Sequence, residues 1–319
     1  MNAIGGYFEL DLRKGRHYHK DALRLNTARN CFEYVLRARR YDKVYIPYYT
    51  CEVLLEPINK LGIDYEFYHI NELLEPVLSP LLNKKEAFLY TNYFGLKQNC
   101  LKDFADLYGE QLIVDNAQAF YSEPEPGIDT FYSARKFFGV PDGAYLYTSL
   151  KLEQDLEWDF SFERMSHLLK RIDFGAEAGY SDFRNNEDAL CGNEIKNMSR
   201  LTDAILSGVD YSSVKQRRRE NFAFLDEQLK NTNRIHWDLD DDAVPMVYPY
   251  WTDDASLKQK LIANKVFVAT YWPNVIEWTD EEMSEYELAE KLIPIPVDQR
   301  YGEVEMKRIV DIIAKHQSL

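Results

Sequence analysis

Between Gln111 and Thr148 the chain reads QLIVDNAQAFYSEPEPGIDTFYSARKFFGVPDGAYLYT. An apolar run, Gln111–Asp115, ends on a carboxylate and gives way to small and amide residues; a second run, Gly143–Thr148, closes the stretch. Runs of the same kind precede it at Lys43–Tyr49 (KVYIPYY), Tyr65–Ile70 (YEFYHI) and Ala87–Phe94 (AFLYTNYF). Short apolar runs rich in β-branched and aromatic residues read as buried strands. Between them lie helical stretches: Thr27–Arg39, which opens on a good N-cap residue, Cys51–Leu61, which follows Thr50 in the same manner, and Leu101–Tyr108. Strands alternating with helices predict an α/β fold with a mostly parallel, helix-covered sheet.

Working outward, Leu150–Ala189 is rich in charge and aromatics and then loop-like (GAEAGYSDFRNNED). Asn197–Lys230 reads as one long helix containing the basic triplet Arg217–Arg219, which fits a solvated or interdomain face. Beyond Asn233 the pattern is that of a smaller α+β unit: a strand at Val244–Tyr248, a helix near Ser256–Asn264, a strand at Val266–Thr270 and a closing helix at Val304–His316. The 319 residues correspond to about two domains at ~150 residues each, with the boundary expected within 205–230. The division taken is 1–210 for the large domain and 211–319 for the small one.

Composition narrows the function. Hydrophobic residues make up 45% and charged residues 29%, which excludes a disordered chain. A net charge of −15 speaks against nucleic-acid binding, which needs a basic footprint. There is no run long enough to span a membrane and no secretory leader pattern. Cys31, Cys51, Cys100 and Cys191 are scattered, without metal spacing, and are expected as buried structural thiols in a reducing, cytoplasmic setting. The histidines show no ligand spacing, and no metal is assigned.

Asp115 ends a strand, where an open parallel sheet has its ligand crevice; such an Asp also serves as a loop cap. Lys136 lies between Arg135 and the Phe137-Phe138-Gly139 segment. Desolvation there lowers an amine's pKa, as a Schiff-base lysine requires, while a snorkelling surface lysine is the plainer account. The two together say more. A strand-end Asp followed twenty-one residues later by Lys136, in a Ser-x-x-Lys sequence before a glycine-containing turn, is the pattern of a pyridoxal phosphate site. In such a site the Asp holds the pyridinium proton, the Lys carries the aldehyde and the Ser reaches the phosphate.

These stretches resemble the DegT/DnrJ/EryC1/StrS sugar aminotransferases, which are fold-type-I pyridoxal phosphate enzymes. Asp115-Asn116-Ala117-Gln118-Ala119 is similar to the family's strand motif, and Ser133 through Gly139 to its lysine motif. Asn26-Thr27-Ala28 resembles the phosphate turn, and Pro47-Tyr48-Tyr49-Thr50 and Asn92–Gly95 resemble two strand ends. Met198-Ser199-x-Leu201, Arg217–Asn221, Val266–Pro273 and Ile295–Tyr301 extend the likeness over nearly the whole chain. There are departures. Cys51 stands where an aromatic residue normally stacks on the cofactor ring, leaving Cys51 itself, Tyr49 or another aromatic for that face. Arg29 replaces a small residue, and the partner-subunit loop is represented either by Gly179–Arg184 or by Asn197-Met198-Ser199.

The resemblance implies pyridoxal phosphate as cofactor, with Lys136 and Asp115 catalytic. It implies contacts to the cofactor from Asn26, Thr27, Ala28, Thr50, Cys51, Gln118, Ser133 and Asn197. Free N–H groups at the helix start suit its phosphate; Thr27 also serves as a plain N-cap, and Gln118 as an amide bonding the backbone. Arg29 and Arg135 are candidate anion contacts for phosphate or substrate, or else exposed helix charges. Tyr271 and Trp272 line a substrate pocket as in the family, or serve ordinary packing. The implied partners are an amino-acid donor such as glutamate, a nucleotide-linked keto-sugar acceptor and a second copy of the chain in a homodimer. Two rival readings remain at this stage: a pyridoxal phosphate enzyme of another reaction type, and a non-catalytic member acting as a binding or regulatory protein.

Overall fold

The computed structural model describes residues 4–317. In chain order the first part holds β1 (Leu23–Leu25), α1 (Ala28–Arg39), β2 (Lys43–Pro47), α2 (Leu55–Leu61), β3 (Asp64–Tyr68), β4 (Glu86–Thr91), α3 (Leu101–Tyr108), β5 (Leu112–Asn116), β6 (Asp129–Ser133) and β7 (Ala144–Tyr147). Then come α4 (Ser166–Phe174), α5 (Tyr180–Ala189), α6 (Arg200–Ser207), α7 (Tyr211–Leu229), β8 (Val247–Trp251), α8 (Leu257–Ala263), α9 (Pro273–Trp278), α10 (Ser284–Lys291), β9 (Leu292–Pro296) and α11 (Glu303–Gln317). Among the described residues, β1 to β7 form one sheet in the order β1-β7-β6-β5-β4-β2-β3. Strands β2 to β6 are mutually parallel, and β7 runs against both β6 and β1. This is the mostly parallel, helix-covered α/β sheet expected from the sequence.

Side chains alternate across the sheet. Ala87, Leu89, Ile113, Phe131, Ala144 and Leu146 face α1 and α2, packing with Phe32, Val35, Leu36 and Ile58. Phe88, Tyr90, Leu112, Val114, Tyr132 and Tyr145 face the other way, onto α3, Phe120, Phe137, Phe138 and Leu206. Both faces are buried, so the strands read as continuous apolar runs. On the second face His19, 2% exposed, sits 4.1 Å from the Tyr132 ring, with Nε2 on the Phe120 carbonyl at 2.7 Å. A separate antiparallel pair, β8–β9, packs through Tyr248, Tyr250, Ile293 and Ile295 on Phe222 and Leu225 of α7 and on α8 and α11.

Several local expectations are corrected. The helix expected from Cys51 begins at Leu55, after a 3-10 turn at Glu52–Leu54, and Thr50 does not cap it. The loop-like stretch around Tyr180–Asp188 is α5. The long helix over Asn197–Lys230 is interrupted at Gly208-Val209-Asp210, where the Asp210 side chain caps a new helix by accepting from Ser213 N. Val266–Thr270 is not a strand, and the partner of β8 is instead β9. Strands β1 and β6 were not anticipated. Cys31 is buried, whereas Cys51 and Cys100 are half-buried and Cys191 is exposed. No helix among the described residues is long and apolar enough to cross a membrane.

One glycine fastens α1 to the strand side of the lysine turn. The Gly143 N–H donates to the Asn26 carbonyl at 2.6 Å, and its carbonyl accepts from Ala134 N at 3.1 Å. Its φ is +108°, and a Cβ there would lie 2.8 Å from Thr202 Cγ2 and 3.3 Å from Met198 Cε. Gly143→Ala combines a forbidden backbone region with a clash. We expect it to lower unfolding free energy by at least ~1 kcal/mol in a denaturant titration.

Candidate active site

The site is built where the parallel strands end. In register, Thr91 of β4 lies opposite Asp115 of β5, and Asp115 opposite Phe131 of β6. Because side chains alternate, this row shares the face of Ile113 and Leu89, the face covered by α1. Helix α1 presents its N-terminus there: Thr27 is the N-cap, its Oγ1 accepting from Asn30 N at 3.0 Å. Ser133 ends β6, and Lys136 follows in a 3-10 turn, Ala134–Lys136. Together these groups wall a cavity of about 170 Å³.

The cavity is lined by Asp115, Lys136, Ser133 and Gln118, by Thr27, Ala28 and Arg29 of the α1 start, by Thr50 and Cys51, and by Arg135 and Trp272. Tyr271 does not line it but lies beside Lys136, whose Nζ is 5.8 Å from the Tyr271 ring centre. Asn26 and Asn197 are engaged elsewhere in this chain. The Asn26 amide donates to Glu194 O, and the Asn197 amide donates to Leu156 O at 2.7 Å. Tyr49 is fully buried behind the wall against Tyr93 and Trp272. Of the side chains considered for the cofactor's ring face, Cys51 and Trp272 therefore reach the cavity. Sequence reading did not single out Thr91, Val53, Leu54, Phe131 or Glu187, which also line it.

Electrostatics set this cavity apart. The Lys136 side chain is solvent-accessible along the open side of the cavity, while its amine lies among the cavity's protein groups. Desolvation by the protein packed around the amine lowers its pKa from the ordinary lysine value; the charges of Cys51 and Asp115 oppose the shift and Arg135 adds to it. Burial pushes the Asp115 carboxyl up to about 6, although the Ala117 N–H, at 2.8 Å from Oδ1, and the Lys136 charge pull it back. Burial likewise raises the Cys51 thiol. Arg29 is paired with Glu56, and Arg135 with Glu187 of α5. Burial brings Arg135 down to about 10.

Several buried polar atoms at this cavity have no protein partner: Thr91 Oγ1, Gln118 Nε2, Arg29 Nε and Arg135 Nε. Gln118 Oε1, by contrast, accepts from Phe94 N at 3.1 Å, which fixes the direction of the amide. Three of these four orphans are donors only, and buried donors call for acceptors. With the α1 N–H groups, a strand-end carboxylate and a desolvated amine, they fit a phosphorylated pyridine aldehyde. A larger depression of about 420 Å³ around Asp210, Arg217 and Gln299 contains no comparable chemistry. No cluster of three or more metal-ligating side chains occurs among the described residues.

No family model matches the chain, and no curated protein matches it. Solved structures do. DesV from S. venezuelae, in complex with a ketimine intermediate, is 17% identical, with a TM-score of 0.63 over 92% of this chain and 84% of that one. DesI in the presence of its TDP-sugar product is 16% identical, with a TM-score of 0.61 over 92% and 79%. A DegT DnrJ EryC1 StrS aminotransferase from Brucella abortus is 14% identical, with a TM-score of 0.61 over 92% and 85%. At these identities the likeness is one of fold: the chain shares its architecture with these solved structures.

A carboxyl raised to about 6 disfavours the folded state at any pH where it must be charged. The penalty is full above pH 6 and vanishes below the unfolded value near 3.8. In the cofactor-free protein, Asp115→Asn is therefore expected to melt higher than the parent at pH 8. The gap should shrink as pH falls through 6 and close near pH 4, as followed by calorimetry.

Proposed function

We propose that this chain is a pyridoxal-phosphate-dependent aminotransferase of the DegT/DnrJ/EryC1/StrS kind, moving an amino group from a glutamate-like amino acid to a nucleotide-linked keto-sugar. The observation that carries this reading is the meeting of Asp115, Lys136, Ser133 and the α1 N-terminus in one cavity whose orphaned polar atoms are mostly donors. The comparison proteins support it in turn: one holds a ketimine, and another a TDP-sugar product.

The cofactor supplies an aldehyde that holds an amine and an electron-poor ring that draws charge from the substrate's Cα. The rest falls to the chain's own residues. Asp115 would hold the proton of the cofactor's ring nitrogen through a charge-assisted hydrogen bond. Gln118, whose Nε2 has no protein partner, would supply a donor to the cofactor. Thr27, Ala28 and Ser133 bind the phosphate, with the helix dipole favouring its charge. Lys136, its pKa lowered by desolvation, would be the group that takes the proton from the substrate's Cα and hands it on. Cys51 and Trp272 bound the ring, and Arg29 and Arg135 exchange their glutamates for a substrate anion.

We further read residues 1–210 as the large domain and 211–319 as the small one, and the protein as cytoplasmic with its cysteines free. We read the active form as a homodimer. Trp158, Phe160, Phe162, Ile172, Phe174 and Tyr180 are all exposed on one stretch of chain, and a partner copy would cover them. In that dimer either Asn197 or the Gly179–Arg184 segment would be offered to the partner's cofactor.

Protein loaded with pyridoxal phosphate is expected to release 2-oxoglutarate from glutamate when given a nucleotide keto-sugar. Lys136→Ala should lose the visible cofactor band and at least ~10³-fold in turnover, the scale of a missing acid–base group. Product from a free keto acid, but from no sugar in a panel, would reassign the reaction.

A further inference from the structure

The three consecutive arginines of α7 have different surroundings. Arg217 is exposed and pairs with Glu220. Arg219 reaches the Ala243 carbonyl at 3.0 Å. Arg218 is 1% exposed and donates to neutral acceptors: Nε to Gln299 Oε1 at 3.0 Å, and Nη1 to the carbonyls of Pro245 at 3.2 Å and Met246 at 3.0 Å. Asp298, the carboxylate whose charge acts on it, is held by Arg300. Burial brings Arg218 down to about 10, so it remains charged at neutral pH. A buried guanidinium without a carboxylate of its own is a poor stabiliser of a fold.

What Arg218 does touch is Phe137, the residue after Lys136. Its guanidinium lies 4.5 Å from the centre of that ring, within cation–π range. Gln299, which Arg218 orients, donates Nε2 to the Phe137 carbonyl at 2.7 Å. On its other side the turn is held by Ala134 O, which accepts from Phe137 N and Phe138 N at 3.0 and 2.9 Å. The turn carrying Lys136 is thus closed by its own first carbonyl and braced from outside by two side chains from the C-terminal third of the chain. The charges acting on Lys136 are those of Cys51, Arg135 and Asp115, so Arg218 works through backbone position and not through its field.

We propose that Arg218 and Gln299 are positioning residues which, acting through Phe137, hold the Lys136 turn so that the amine stays inside the cavity near Asp115. This rests on the reading of Lys136 as the reactive amine. Substrate and cofactor touch neither residue in this account. Loosening the clamp lets the amine relax toward water, where it recovers an ordinary lysine's protonation.

Competitive labelling tests this on the full-length, cofactor-free protein. A trace amine-acylating reagent is applied across a pH series, and the Lys136 peptide is quantified by mass spectrometry against exposed lysine peptides. In the parent, Lys136 should become reactive at lower pH than those peptides. Gln299→Glu still accepts from Arg218 but cannot donate to the Phe137 carbonyl. It should move the Lys136 profile upward by about half a pH unit, about 0.7 kcal/mol on the usual conversion, while the melting temperature changes little. Arg218→Met should move the profile further, and Arg218→Lys should recover part of the shift. Where Arg218→Met does not fold, Gln299→Glu decides. A parent profile that is low and unchanged in Gln299→Glu and Arg218→Lys overturns the positioning role and leaves the reading of Lys136 standing. A parent profile like that of the exposed lysines overturns the reading of Lys136 itself.

Discussion

Everything in the cavity depends on the direction in which the side-chain alternation falls in β5. Period two leaves one choice for the whole strand. With Leu112 and Val114 committed to the face of α3 and Phe120, Ile113 and Asp115 must point toward α1. The same choice, passed through the hydrogen-bond register, brings Thr91 and Phe131 alongside Asp115. Since α1 covers that face and starts at its carboxyl-terminal edge, its free N–H groups and the carboxylate open onto one space. A one-residue slip of β5 would bury the carboxylate among Phe88, Tyr90 and Tyr132 and leave the helix start facing hydrocarbon.

The cavity works against stability in several places. It desolvates an amine, a carboxyl and a thiol together, and each of the three moves toward its neutral form. It keeps donors without acceptors. Its two arginines are balanced by glutamates brought in by α2 and α5, so the local charge is contained without help from a chain that is strongly acidic overall. Groups held away from their preferred state are what a binding or reacting partner can relieve.

Much of this was legible in the sequence because it is local. The apolar run ending on Asp115, the Ser133-x-x-Lys136 spacing and the Thr27 cap each occupy a few consecutive residues. What escaped depends on pairing or on helix phase. Thr91 is unremarkable until register sets it against Asp115. Glu187 sits on a helix whose polar sequence looked like a loop. Val266–Thr270 has the residue types of a strand but no neighbour to pair with, and β8 takes β9 instead. The β1 strand is only three residues long, too short for periodicity to show. Arg218 could have been found: Val214, Arg218, Asn221, Phe222, Leu225 and Leu229 fall on one stripe of α7, and an arginine in line with that stripe points inward.

The neutral histidine beneath the sheet gives the protein an acid limit unrelated to its chemistry. Burial takes His19 down to about 4, against a free value of 6.5. Between pH 6.5 and 4 the unfolded chain binds a proton at this position that the folded chain refuses, and the stability lost accumulates until pH 4. One ring nitrogen is on the Phe120 carbonyl and the other faces the Tyr147 hydroxyl at 3.3 Å, amid edge-on and tilted aromatic rings, so it is burial that disfavours the charge. Phe120 closes the turn that begins at Asp115. Acid would therefore loosen the N-terminal segment and the turn that follows Asp115 together, in the pH range where the Asp115 carboxyl takes up its own proton.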